Sequence, residues 1–109
     1  MIKVQFLYFE GCDSHEEVLA RLKSVMEAEG IGDTIEMIKI ETDEQAAEWR
    51  FVGSPTILIN GEDIVPVPNG SFFRLTCRTY RHEDGRYSSL PSVETIRRAL
   101  RAVHVSQTP

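Results

Sequence analysis

Apolar residues occupy positions 2, 4, 6 and 8 of the chain, and again 7 and 9, across the run Ile2–Phe9. Alternation with both phases apolar suits a β-strand covered on both faces, as in a sheet flanked by helices. Glu10 and Gly11 end the run, and Val18, Leu19, Leu22, Val25 and Met26 then recur at helical spacing. Two capping boxes, Asp13 with Glu16 and Ser14 with Glu17, start this predicted helix, and Gly30 and Gly32 close it. Thr34–Ile40 reads as a second strand, Thr42 and Gln45 cap a short helix through about Arg50, and Thr56–Ile59 reads as a third strand. Asn60–Gly61 is a strong hairpin signal, which turns a fourth strand near Asp63–Val67 back antiparallel. Ser92 caps a last helix with Val93, Ile96, Leu100 and Val103 along one face.

The order is therefore β-α-β-α-β-β-α. A helical segment between each of the first three strands predicts right-handed crossovers and parallel pairing, with the fourth strand antiparallel at an edge. The expected fold class is an α/β sandwich around a four-stranded mixed sheet in strand order 2-1-3-4. Residues 66–91 fit this scheme least well. Phe72–Tyr80 offers a strand, Glu83-Asp84-Gly85 a turn and Arg86–Ser88 its return, so a hairpin or functional loop is inserted before the last helix.

A length of 109 residues suits one domain, 1–109. The hydrophobic share of 41% and charged share of 27% are ordinary for a globular chain. No apolar run approaches the roughly 20 residues that span a bilayer, and Lys3 and Gln5 interrupt the first run, unlike a signal peptide. The expectation is a soluble cytoplasmic protein with no membrane partner. A net charge of −5 argues against nucleic acid, whose binding draws on neutralised phosphates. Arg97, Arg98 and Arg101 make the last helix locally basic and read as a solvated face that complements its C-terminal dipole. Nothing in the sequence calls for a cofactor.

Two cysteines are too few for a secreted disulfide framework, so their positions decide their meaning. Cys12 falls where the first strand gives way to the first helix. A helix N-terminus lowers a thiol pKa, and a protonated His15 one turn on adds positive charge, while Asp13, Glu16 and Glu17 oppose both effects. Cys12 is the candidate nucleophile and His15 its candidate helper. Cys77 lies in the inserted segment. It is either a resolving thiol brought to Cys12 or an edge-strand cysteine far from it. Arg78 favours a thiolate nearby and is expected to line the cleft.

The strand ending Tyr8-Phe9-Glu10-Gly11-Cys12, with Gly53-Ser54-Pro55-Thr56 leading into the third strand, resembles the thioredoxin superfamily over about residues 2–67 and 91–104. The resemblance implies a thioredoxin-like three-layer sandwich and a cis bond at Ser54–Pro55 beside Cys12. It also implies a substrate-binding edge formed by Ser54, Pro55 and Thr56, where the backbone before the proline pairs with a substrate chain. The chain departs from the family's Cys-x-x-Cys pair, because Cys12-Asp13-Ser14-His15 puts His15 where the second thiol would stand. The family's buried strand acid is missing as well. Cys77-Arg78-Thr79-Tyr80, following such a half, is also similar to small bacterial proteins often labelled alkylmercury lyase-like, in which two thiolates hold mercury and an acid such as Asp13 protonates the departing carbon. Three functions follow as expectations. The first is a thiol-dependent oxidoreductase acting on a thiol- or disulfide-containing protein or a small thiol. The second is a site for mercury or another soft metal. The third is a non-catalytic binding module.

Overall fold

The computed structural model describes residues 2–11, 15–32, 34–65, 67 and 70–107. In chain order its elements are β1 (Val4–Tyr8), α1 (His15–Ala28), β2 (Ile35–Lys39), α2 (Asp43–Trp49), β3 (Thr56–Ile59), β4 (Glu62–Asp63), β5 (Tyr80–Arg81), β6 (Tyr87–Ser88) and α3 (Val93–Gln107). The first four strands form one mixed sheet in the order β2-β1-β3-β4, and β5 and β6 form a separate hairpin.

Local chemistry sets most boundaries. Thr42 is extended and accepts the Gln45 N–H at 3.1 Å as the N-cap of α2, while Gln45 Oε1 reaches back one residue further to accept the Glu41 N–H at 2.7 Å. Arg50 takes the left-handed conformation (φ 54°) and ends that helix. Ser92 Oγ accepts the Thr95 N–H at 3.0 Å and starts α3. Gly30, at φ 72°, stops α1 with paired bonds from Gly30 N–H to Glu27 O and from Ile31 N–H to Met26 O, a Schellman closure. Both turn residues, Asn60 (φ 51°) and Gly61 (φ 84°), have the positive φ that a tight β3–β4 hairpin requires. The caps expected at Asp13 and Ser14 lie outside the described residues.

The sheet carries a different core on each face. Val4 and Phe6 of β1 and Ile57 and Ile59 of β3 pack with Val18, Leu22, Val25 and Met26 of α1 and with Ile96 and Leu100 of α3. Leu7 and Leu58 point the other way and pack with Ile40, Ala46 of α2 and Phe51, with Phe73 and Leu75 beside them. This second layer is therefore α2 together with part of the inserted segment. The arginines of α3 are paired: Arg97 and Arg98 reach Glu94, and Arg97 and Arg101 reach Glu29 beyond the end of α1.

Two expectations are corrected. β1 and β2 are parallel, but β3 runs antiparallel to β1, with Val4 opposite Ile59 and Leu7 opposite Thr56. The cause is the length of the connection. α1 has 14 residues and rises about 21 Å, enough to carry the chain back along a five-residue strand of about 17 Å. α2 has seven residues and rises only about 10 Å, so the chain re-enters the sheet at the end where β2 left it. The strand expected over Phe72–Tyr80 also shrinks, to a single bridge at Cys77 and the two residues of β5. Burial still alternates there, with Arg78 and Tyr80 in and Thr79 out. β3 lies between β1 and β4, however, so its ladder is filled and the segment meets it only at its entry, through the bridge to Ser54.

Candidate functional site

The site grows from Gly53-Ser54-Pro55-Thr56, the entry to β3. The Ser54–Pro55 peptide bond is cis, as the resemblance implied. Ser54 Oγ accepts the Phe9 N–H at 3.0 Å, which ties the exit of β1 to this turn. Thr56 Oγ1 donates to the Gly53 carbonyl at 2.7 Å and closes the turn on itself. Ser54, Pro55 and Thr56 are all buried.

The inserted segment lies against this turn. The Ser54 N–H donates to Thr76 O at 2.8 Å and the Arg78 N–H donates to Ser54 O at 2.9 Å, a parallel bridge that sets Cys77 beside Ser54. The backbone groups that the resemblance assigned to a substrate are bonded here to the chain's own residues 76–78. Gly53 makes the approach possible. A Cβ there would lie 2.7 Å from Arg78 Cβ and 2.9 Å from the Arg78 backbone. Upstream, the Leu75 N–H donates to Asp43 Oδ1 at 3.0 Å, which ties the segment to the start of α2.

Arg78 anchors the segment from below. Its guanidinium binds Asp63 through both oxygens, at 2.8 and 3.1 Å, and donates to Thr56 Oγ1 at 3.2 Å. Both side chains of the ion pair are only 8% exposed. The Tyr80 ring stacks on the guanidinium at 4.6 Å, and its hydroxyl donates to the Pro55 carbonyl. Burial pushes the Tyr80 phenol well above its ordinary range, against the pull of Arg78. Burial likewise works against the charge on Arg78, but Tyr80 and the Asp63 carboxylate outweigh it and hold the guanidinium above its ordinary value. Arg78 thus lies under the segment with its charge already matched.

Cys77 is exposed and disulfide-bonded. The sequence contains one other cysteine, Cys12, which lies with Asp13 outside the described residues. His15 opens α1, half-buried, with its ring stacked on Tyr8 at 5.0 Å, so the end of β1 and the start of α1 meet there. Among the described residues no cluster of three or more His, Cys, Asp or Glu side chains is placed to hold a metal ion. None of their helices is long and apolar enough to cross a membrane.

Sequence reasoning passed over Asp63, the partner of the buried arginine, and the anchoring role of Tyr80. An acid in a predicted hairpin strand was the only available signal for Asp63. It does not reveal a partner 15 residues away. Fold and site together define a mixed α/β protein with a disulfide-bearing strap fastened over the entry to β3. Compared with protein-family models, with curated proteins and with solved structures, the chain finds no match.

Proposed function

We propose that the chain is a thiol–disulfide exchange protein of thioredoxin-like fold in which Cys12 and Cys77 form a reversible redox pair. The observation that carries this reading is the disulfide at Cys77, a solvent-exposed residue bridged to Ser54 in a chain with one other cysteine. Exposed disulfides are the ones that external thiols reach, and they exchange most readily. The mixed sheet in the order 2-1-3-4 and the Ser54–Pro55 turn beside Cys77 support the fold assignment.

In the reduced protein the Cys12 thiolate attacks one sulfur of a substrate disulfide. A Cys12–substrate disulfide forms and the other half of the substrate leaves as a thiolate. The Cys77 thiolate then attacks the Cys12 sulfur, forms the internal disulfide and releases the second substrate thiolate. Two electrons pass from the protein dithiol to the substrate, and the two thiol protons pass through solvent to the products. This arrangement answers the missing Cys-x-x-Cys pair, because the resolving thiol comes from the strap rather than from the helix.

Incubation of reduced protein with hydroxyethyl disulfide, followed by intact-mass analysis and non-reducing digestion, tests the proposal. The wild type should end two hydrogens lighter with Cys12 linked to Cys77. Cys77→Ser should accumulate a stable adduct on Cys12. Absence of the internal link, or a Cys77→Ser variant that forms no adduct, would falsify the reading.

A further inference from the structure

A cleft of about 650 Å³ runs along the strap, and Cys77 lines it together with Phe72, Arg74, Arg78, Arg81 and Tyr87. Its volume lies within the range of small-molecule sites. Three arginines line it and, among the described residues, no acid does, although the chain as a whole carries −5. Arg78 is neutralised by Asp63. Arg74 and Arg81 are exposed and have no ion-pair partner among the described residues. Of the two acids in the hairpin turn, Glu83 accepts from Ser92 Oγ and Thr95 Oγ1, and Asp84 faces Arg86. Phe72 and Tyr87 are 80% and 69% exposed, an unusual exposure for large rings that gives the cleft apolar walls. A guanidinium binds a carboxylate through two parallel hydrogen bonds, so two exposed arginines with no ion-pair partner among the described residues, beside the Cys77 disulfide, make a receptor for an anion that carries a thiol.

We infer that this cleft receives a small carboxylate-bearing thiol as the reductant of the Cys77 disulfide, an inference that rests on the exchange function proposed above. The partner's thiolate attacks Cys77 Sγ. The protein S–S bond breaks, Cys12 leaves as a thiolate and a Cys77–partner disulfide forms. A second partner thiolate then attacks the partner's sulfur in that bond, which frees the Cys77 thiolate and releases the partner as its own disulfide. Two electrons pass from two partner thiols to the protein.

The test compares reduction of the oxidised protein by mercaptosuccinate, 2-mercaptoethanol and cysteamine, with rates corrected for each reagent's thiolate fraction and nucleophilicity. At low salt the dicarboxylate should react about tenfold faster than the neutral thiol, and the cationic thiol slowest. That order should collapse in 0.5 M NaCl and in the Arg74→Gln/Arg81→Gln variant. A second arm needs no disulfide exchange: on reduced protein, the iodoacetate-to-iodoacetamide rate ratio at Cys77 should exceed that of a Cys peptide and fall in the same variant. Equal corrected rates for the three thiols in wild type, or an order untouched by the double substitution, overturn the cleft assignment and leave the exchange function standing. An anion preference in the alkylation arm, together with no Cys12–Cys77 disulfide in the oxidised protein, overturns the exchange function while the cleft keeps its charge selectivity.

Discussion

Replacing Asp63 with alanine removes one half of the Arg78–Asp63 pair and leaves a guanidinium buried under the strap. Both side chains are 8% exposed, and the bonds at 2.8 and 3.1 Å have no solvent to replace them. Breaking a buried pair on one side costs about 3–5 kcal/mol, because the surviving charge keeps its desolvation penalty. Thr56 Oγ1 remains as one partner for Arg78, which favours the lower end of that range. A domain of this size has about 5–15 kcal/mol of total stability, so the loss is a large fraction of it. Urea unfolding followed by circular dichroism, with the disulfide intact in every variant, reads the effect. At an m-value of about 1–1.5 kcal/mol/M the midpoint should fall by about 2–4 M. Glu10→Ala is the control, since its pair with Lys39 is 40% and 63% exposed and should leave the midpoint unchanged. The double variant Asp63→Leu/Arg78→Met should recover to within about 1.5 kcal/mol of wild type, because no charge is left buried. If Asp63→Ala costs less than about 1 kcal/mol, the pair behaves as an exposed one and the strap is not anchored as described.

Three further outcomes are expected. Gly53→Ala should destabilise by about 1–3 kcal/mol through overpacking against Arg78 and should speed amide exchange at Ser54 and Arg78, read by hydrogen-exchange mass spectrometry; unchanged exchange would show that the strap does not rest on Gly53. Because the folded Tyr80 phenol is held above its unfolded value of about 10, its contribution is fully present below pH 10 and is lost as pH rises above it. Midpoints measured from pH 8 to 11 should therefore fall in wild type and fall less in Tyr80→Phe, and parallel curves would refute the assignment. Reduction of a disulfide closing the 65-position span from Cys12 to Cys77 should lower stability by about 4 kcal/mol on the chain-entropy model, and an unchanged midpoint under dithiothreitol would argue against that link.

The sequence by itself determined what depends on near neighbours. Thr42 with Gln45, Ser92, Gly30 and Asn60–Gly61 each satisfy or redirect backbone groups within a few residues, so their helix ends and turn are legible without the rest of the molecule. Apolar periodicity likewise marked β1, α1 and α3 as elements with buried faces, and turn residues on either side marked β3 as a strand. It did not say in which direction β3 runs, because a strand covered on both faces has the same pattern parallel or antiparallel; the short rise of α2 decided that. The candidate site divides in the same way. Cys77 and Pro55 stand out by residue type, whereas the Arg78–Asp63 pair exists only because the β3–β4 register sets Asp63 beside Leu58, on the face that the strap crosses. Gly53 reads as a turn residue in sequence, and only the packed strap shows that its missing side chain makes room for Arg78. Contacts made across the sheet depend on register and on which face a segment covers. Those are properties of the assembled fold, and no local pattern of residues encodes them.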